Sequence, residues 1–105
     1  MTVAVLYVNT SEIRIGDVVL VHGMRVLIEK EPRNWPGGYS STVYGVIGKV
    51  LNPEEVKEAK CVPYHWLFEE KFIPGVGWRY DYEGGARWYI QGNEWAQWAV
   101  ERNEP

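Results

Sequence analysis

The clearest alternation of hydrophobic and polar residues lies between residues 13 and 30, where the chain contains IRIGDVVLVHGMRVLIEK. An apolar run at 18–21 is followed by His22 and Gly23, and then by apolar residues at every second position: Met24, Val26 and Ile28. Alternate side chains of a strand lie on one face, and glycine and histidine tolerate the positive φ of a two-residue hairpin turn. The pattern therefore predicts a β-hairpin that turns at His22-Gly23 and has an apolar face on its return strand.

Two further apolar runs have the length and the β-branched composition of strands. Residues 3–8 are VAVLYV, and residues 42–51 are TVYGVIGKVL, a run that contains Gly45 and Gly48. Glycine inside a strand is typical of a bulge or a bend, such as small barrels have at their corners. Before the second run, the segment 31–41 contains two prolines and a Gly-Gly pair, which predict an irregular loop.

One short helix is predicted from the sequence NPEEVKEAK at residues 52–60. Asn52 is suited to the N-cap and Pro53 to the first helical position. Glu54 and Glu55 follow in the first turn, where the helix dipole favours anions. The segment is long enough for only about two turns, so we interpret it as a lid on the predicted barrel.

The following segments are less regular. Residues 62–72, VPYHWLFEEKF, fit either a strand or a short helix. Residues 73–90 predict a hairpin with its turn at 83–85. In its first strand the aromatic residues alternate with polar ones: Trp78, Tyr80 and Tyr82.

The segment RWYIQGNEWAQWAV, residues 87–100, contains three of the six tryptophans. Residues 93–101 form either a helix capped by Asn93 or a tight turn followed by a closing strand. We favour the turn and strand, because short strands ending in this way are typical of a small barrel. The sequence as a whole predicts one mainly β domain over residues 1–105. It is expected to be a small SH3-like, partly open β-barrel with one short helix after the third or fourth strand.

Six tryptophans and seven tyrosines are more than the core of a 105-residue chain can bury. We expect Trp66, Trp88 and Trp98 in the core. Surplus aromatic residues are typical of interfaces, where they concentrate binding energy. The residues expected to contact a partner lie in the Pro/Gly loop, the predicted hairpin and the final turn: Arg33, Trp35, Tyr39, Trp78, Tyr80 and Trp95.

The charged and reactive residues exclude several functions. The net charge is −3, and acidic and basic residues are mixed along the chain, so we expect no strong nonspecific binding to a phosphate backbone. Cys61 is the single cysteine, and with His65 it supplies two ligands where a structural zinc needs four. A buried thiol and a structural histidine are expected instead. No motif for nucleophilic catalysis or phosphate binding is present, so we predict no enzymatic activity, no metal and no cofactor.

Three segments resemble known sequences: GDVVLVHGMRVLIE, VYGVIGKVLN and RWYIQGNEWAQWAVE. Together they resemble a group of small uncharacterised proteins of actinobacteriophages, mycobacteriophages especially. That group has a GDVV…GMRV hairpin and a closing WxIQGN[DE]xAxWxVE motif, which is the most specific part of the resemblance. The resemblance covers most of residues 13–101 and implies a phage accessory protein expressed in the bacterial cytoplasm. The GDVV hairpin is also similar to the opening of SH3-like barrels, at the level of fold alone.

Two functional hypotheses follow. The first is a non-enzymatic interaction module that binds a protein of the host bacterium or of the phage. The alternative is a small β-barrel that binds single-stranded DNA or RNA, since two segments combine a cation with rings on which bases stack. These segments contain Arg33, Trp35 and Tyr39, and Trp78, Arg79, Tyr80 and Tyr82. A minor structural protein of the virion is a third hypothesis, and an exposed sheet edge would favour a homodimer. No apolar run approaches membrane-spanning length, so we expect no membrane partner and a location in the host cytoplasm.

Overall fold

The structure is a computed structural model, and it describes residues 2–34 and 43–104. Within these residues the chain forms β-strands, one α-helix and two short 3₁₀ helices. In chain order the elements are β1 (Thr2–Val8), a first 3₁₀ helix (Thr10–Glu12), β2 (Val18–Val21), β3 (Met24–Leu27), β4 (Arg33–Asn34), β5 (Tyr44–Val50), α1 (Pro53–Ala59), a second 3₁₀ helix (Tyr64–Leu67), β6 (Glu70–Ile73), β7 (Gly77–Tyr80), β8 (Arg87–Gly92) and β9 (Trp98–Glu104). The prediction of a mainly β fold with one short helix is confirmed.

Seven antiparallel strands form the main sheet. Six of them follow the order β1-β9-β2-β3-β5-β4, and the seventh, β8, pairs with one edge of β5. Along its other edge, β5 pairs with β3 near Val50 and with β4 near Gly45. In the described part of the chain β1 and β8 do not pair with each other, so the sheet is not closed into a barrel. The helix follows the fifth strand rather than the third or fourth, because β4 lies where the sequence predicts only an irregular loop.

The hairpin predicted at His22 and Gly23 is confirmed. These residues have φ angles of 49° and 76°, and the pairing of β2 with β3 begins on either side of them. The alternate residues of the return strand are buried, as predicted: Met24, Val26 and Ile28. The closing strand favoured for the end of the chain is also confirmed, since β9 pairs with β1 along its length and with β2 on its other edge.

The prediction of a hairpin over residues 73–90 is wrong. β7 pairs with the preceding β6 across the turn at 74–76 and forms a separate two-stranded sheet, whereas β8 joins the main sheet. The Asp81 carboxylate accepts the Gly84 N–H at 3.0 Å, which turns the chain between the two sheets. We attribute the placement of β8 to Ile90, which beside β5 is completely buried in the core.

The segment 62–72 contains both of the elements that the sequence leaves open, the second 3₁₀ helix followed by β6.

Within β5, Gly45 and Gly48 do not form the predicted bulge, because the strand pairs with β8 in an unbroken register. A Cβ atom at Gly48 would overlap Cγ1 of Val26 and lie 2.9 Å from the carbonyl oxygen of Leu27. Gly48 is therefore needed for the close packing of β5 against β3.

The core is formed by inward-facing side chains of the main sheet, by Val56 of α1 and by Leu67 of the second 3₁₀ helix. Trp88 and Trp98 are partly buried and pack against it, in agreement with the prediction. Trp66 is 61% exposed, so its predicted place in the core is wrong. Trp66 and Leu67 are neighbours in a single 3₁₀ turn and point in different directions, and Leu67 is the residue that faces the core.

The start of α1 is fixed to the first hairpin by Asn52. This residue occupies the predicted N-cap position, but its side chain makes no capping bond to the helix. Its Oδ1 accepts the backbone N–H of Arg25 at 2.9 Å, and its Nδ2 donates to the carbonyl oxygen of Gly23 at 3.1 Å. The helix is thus held against the β2–β3 hairpin by the residue that the sequence assigns to capping alone.

Thr10→Val is expected to lower the free energy of unfolding by about 1–2 kcal/mol. Thr10 is fully buried, and its Oγ1 accepts the indole N–H of Trp98 at 2.7 Å, which ties the first 3₁₀ helix to β9. Valine keeps the shape of the side chain but removes this acceptor. Urea denaturation measures the change, and Thr10→Ser, which keeps the hydroxyl, is the control. A Thr10→Val variant as stable as the wild type would show that the hydrogen bond contributes nothing.

Candidate interaction surface

The segment that follows α1 is buried on one side and exposed on the other. Leu67 is fully buried, and Tyr64 and Phe68 pack against the core. Burial, together with the Glu54 carboxylate 3.5 Å from its hydroxyl, raises the pKa of Tyr64 above its ordinary value. The side chains of residues 65 and 66 lie on the outside. The 3₁₀ turn thus presents two rings to the surroundings while Leu67 anchors it.

Rings from this segment and from the end of β7 form one continuous series. The ring centres of Phe68 and Tyr82 are 4.7 Å apart, and those of Tyr82 and Tyr80 are 6.3 Å apart. His65 lies 5.8 Å from Tyr80, and Tyr64 lies 5.0 Å from Phe68. These are tilted or edge-on contacts, the arrangements that aromatic pairs prefer. The series therefore holds the hairpin end against the second 3₁₀ helix.

The β6–β7 hairpin adds a further pair of rings. Phe72 and Trp78 lie directly opposite each other in the register, with ring centres 5.6 Å apart. Trp78 and Tyr80 are two residues apart on β7 and so share a face. Trp66 lies 6.4 Å from His65 and completes the cluster. We call these eight rings the aromatic surface: Tyr64, His65, Trp66, Phe68, Phe72, Trp78, Tyr80 and Tyr82.

Four members of the aromatic surface are each 58–63% exposed: Trp66, Phe72, Trp78 and Tyr82. A two-stranded hairpin by itself is only marginally stable in water. Contiguous apolar patches on the surface of a soluble protein are usually interaction sites. Three of the exposed rings therefore lie on or just after the β6–β7 hairpin, which is separate from the main sheet, and Trp66 lies on the second 3₁₀ helix.

Two ion pairs lie beside the aromatic surface. Lys71 Nζ lies 3.6 Å from Asp81 Oδ1, and Arg87 Nη1 lies 2.9 Å from Glu69 Oε1. The backbone N–H of Gly84 and the ammonium of Lys71 hold the pKa of Asp81 below its ordinary value, so this carboxylate stays ionised. The surroundings of the rings are polar but carry little net charge.

The structure separates the residues expected to contact a partner. Trp78 and Tyr80 both belong to the aromatic surface. Trp95 is 80% exposed in the turn between β8 and β9. Among the described residues, no ring contact joins Trp95 to the aromatic surface.

Sequence reasoning did not select two exposed members of the aromatic surface as contact residues: Trp66 and Phe72. Phe72 could have been found from the segment IPGVGW at 73–78, because its Pro-Gly turn is a hairpin signal that places residues 72 and 78 opposite each other. Tyr82 continues the alternation of Trp78 and Tyr80, whereas Trp66 has no comparable local signal. Their positions depend on how the hairpin packs against the second 3₁₀ helix.

Arg33, a further residue expected at a contact, is exposed on β4, whereas Trp35 and Tyr39 lie outside the described residues. Beside Arg33 a groove of about 650 Å³ lies between residues 29–33 and the exposed side of β5 and β8. We call it the cationic groove after its four basic side chains: Lys30, Arg33, Lys49 and Arg87. Two acidic side chains, Glu29 and Glu31, also line it, so the formal charge of the lining is +2, four basic minus two acidic.

The described residues provide no metal site and no membrane-crossing helix. Within residues 2–34 and 43–104 no three His, Cys, Asp or Glu side chains are grouped so that they could hold a metal ion. Cys61 is exposed, so the prediction of a buried thiol is wrong; it lies just after the left-handed residue Lys60 that ends α1. No helix in this part of the chain has both the length and the apolar character needed to cross a bilayer.

Comparisons of the chain with protein-family models, with curated proteins and with solved structures find no match. Function is therefore inferred from the surfaces described above.

Proposed function

We propose that this protein is a non-enzymatic interaction module that binds another protein through the aromatic surface. The observation that carries the proposal is the exposure of four large rings, one on the second 3₁₀ helix and three on or just after the β6–β7 hairpin, which lies outside the main sheet. Tryptophan and tyrosine dominate binding hot spots because each buries a large area for few immobilised bonds. The paired charges around the rings favour a largely neutral, apolar contact over a strongly charged one.

The resemblance to actinobacteriophage proteins supports an accessory role, with a partner from the host bacterium or from the phage. A relation to SH3-like barrels is part of the same proposal. It is supported by the succession of β2, β3, β5 and β8, each paired with the next, and by the final strand β9, which returns after a turn to pair with β2. The open sheet would then correspond to a partly open form of that architecture.

The proposal is tested by affinity capture from bacterial lysate with the tagged protein, with and without nuclease, followed by mass spectrometry. We expect one protein to be enriched in both samples. Trp78→Ala is expected to reduce its recovery about tenfold or more, since loss of a hot-spot ring costs about 2 kcal/mol or more. Trp95→Ala is the matched control, because this exposed tryptophan lies outside the aromatic surface. This variant is expected to recover as much of the partner as the wild type does.

Two results would contradict the proposal. One is equal recovery of the partner by Trp78→Ala and the wild type, which would exclude the aromatic surface as the contact. The other is enrichment that disappears after nuclease treatment, which would identify nucleic acid as the ligand. Circular dichroism of both variants checks that the hairpin change leaves the main sheet folded.

The cationic groove supports a second candidate function, the binding of single-stranded DNA or RNA. Lys49 and Arg87 are directly opposite in the β5–β8 register, so two cations of the groove lining are neighbours, although Arg87 is also paired with Glu69 at 2.9 Å. Tyr89 also lines the groove and offers a ring for base stacking. If this function holds, a fluorescent oligothymidylate binds with an affinity that falls as salt is added, and Lys49→Glu abolishes binding while Lys57→Glu does not.

A further inference from the structure

Strand β1 is the end strand of the main sheet. It pairs with β9 along all seven of its residues, from Thr2↔Glu104 to Val8↔Trp98. No other strand pairs with β1 in the described part of the chain. Alternate backbone N–H and C=O groups along its outer edge therefore point away from the sheet.

The outer edge of β1 lacks the features that normally prevent pairing with another strand. Such edges usually carry lysine or other charges, a proline or a bulge. Residues 2–8 contain no charged residue and no proline, and their register with β9 is unbroken. On the face turned away from the core, three alternate side chains are each more than half exposed: Val3, Val5 and Tyr7.

We propose that β1 pairs with β1 of a second copy of this chain, antiparallel, so that the two main sheets join into one. A two-fold axis perpendicular to the sheet keeps the core face of one copy continuous with that of the other. Paired residues must then have their side chains on the same face of the joined sheet. The axis therefore lies between one residue and the same residue of the second copy, and not between two different residues. An axis at Val5 gives the longest overlap, because it pairs all seven residues of each strand.

The side chains of β1 are complementary to themselves in this register. On the outer face Val5 meets Val5 of the second copy, and each Tyr7 meets a Val3. Aromatic and β-branched residues are favourable cross-strand partners. On the core face each Leu6 meets an Ala4, so a large side chain is opposite a small one.

Charge also favours a second copy over a charged partner strand. The nearest charge on the outer face is Glu101, which is opposite Val5 on β9. Its carboxylate is bound to Arg25 Nε at 3.2 Å and lies one strand away from the edge. A second β1 therefore meets no charged group along the seven residues, and the interface is isologous, with each copy contributing the same strand.

The oligomeric state tests the proposal. Sedimentation equilibrium of the full chain, from low to high micromolar concentration, is expected to show a mass that rises from 12.2 kDa towards twice that value. Val5→Lys is expected to remain a monomer over the same range, since two lysines would face each other across the axis. Ile47→Lys changes a similarly exposed strand residue away from β1 and is expected to dimerise as the wild type does. Thermal unfolding confirms that both variants fold.

The register is tested by disulfide formation under mild oxidation in a Cys61→Ser background. Val5→Cys is expected to form a covalent dimer faster than Val3→Cys, because with the axis at residue 5 only this position meets its own copy. A wild type that stays at 12.2 kDa throughout would overturn the proposal. So would a dimer that persists in Val5→Lys, which would place the contact on another surface. Neither outcome bears on partner binding by the aromatic surface, which Trp78→Ala tests separately.

Discussion

Asp17→Ala is expected to lower the free energy of unfolding by about 3 kcal/mol, one of the two largest effects that we predict for a single substitution. Asp17 is only 2% exposed. Its Oδ1 accepts a hydrogen bond from Nε of Arg102 at 2.9 Å, and its Oδ2 accepts one from Nη2 of Arg102 at 2.7 Å. Oδ2 also accepts the backbone N–H of Arg14 at 2.9 Å. Removal of the carboxylate takes away a buried negative charge beside the half-buried Arg102 together with three hydrogen bonds, a loss that is costly away from water.

The stability of the Asp17→Ala variant is measured by urea denaturation at neutral pH. Glu101→Ala is the matched control, because it breaks an ion pair of β9 that is more exposed, with Arg25. Exposed pairs contribute about 0–1 kcal/mol, so this control is expected to stay close to the wild type. If Asp17→Ala loses no more than Glu101→Ala, the buried pair contributes no more than an exposed one.

The ion pair between Asp17 and Arg102 also makes the free energy of unfolding depend on pH. Burial disfavours the ionised form of Asp17, but the hydrogen bonds from Arg102 and from the Arg14 N–H, with the attraction of both guanidinium groups, outweigh it and lower its pKa below the ordinary 3.8. A carboxyl whose pKa is lowered on folding contributes its full stabilisation above the pKa of the unfolded chain and loses it as the pH falls through the folded value. The stability difference between the wild type and Asp17→Ala is therefore expected to be constant above about pH 5 and to shrink below about pH 4.

Leu67→Ala is expected to lower the free energy of unfolding by about 2–4 kcal/mol. Leu67 is 1% exposed and belongs to the core, while its neighbours in the second 3₁₀ helix carry part of the aromatic surface. Truncation to alanine removes the anchor of this segment and leaves a cavity beneath it. Near-ultraviolet circular dichroism, which reports the packing of tryptophan and tyrosine, should weaken together with the stability.

The control for this prediction is Leu51→Ala, at a leucine that is 40% exposed just after β5. We expect it to cost less than about 1 kcal/mol, because Leu51 lies outside the buried core and its truncation leaves no enclosed cavity. Equal effects of the two substitutions would show that the second 3₁₀ helix is not anchored through the core. If partner capture by Leu67→Ala falls as well, the anchoring also matters for the aromatic surface.

Local patterns predicted the elements whose partners are close in the sequence. The β2–β3 hairpin followed from alternation and from His22-Gly23, because both strands and the turn lie within ten residues. The partner of β8 could not be predicted in this way. Its nearest candidate along the chain is β7, but β5, some forty residues earlier, provides the buried position for Ile90. Long-range burial therefore decided the pairing against the local pattern.

The aromatic surface could be predicted only in part, again because the sequence shows local patterns and does not show long-range packing. Trp78 and Tyr80 were selected because they alternate along one strand. Trp66 was assigned to the core because a large apolar side chain usually lies there, and one turn of sequence cannot show that Leu67 fills the position instead. The cationic groove could not be predicted, since charges that are mixed along the chain are brought together from residues 29–33, β5 and β8 only by the fold.

The position of β9 between β1 and β2 has a consequence for how the protein is made. Val8 pairs with Trp98, ninety residues later, so among the described strands β1 gains its partner only after β9 has left the ribosome. At about 5–20 residues per second this wait lasts on the order of 5–20 s. Until β9 is made, the apolar, uncharged strand β1 is thus available to chaperones or to other nascent chains, and the pairing of β1 is a late step in the formation of the main sheet.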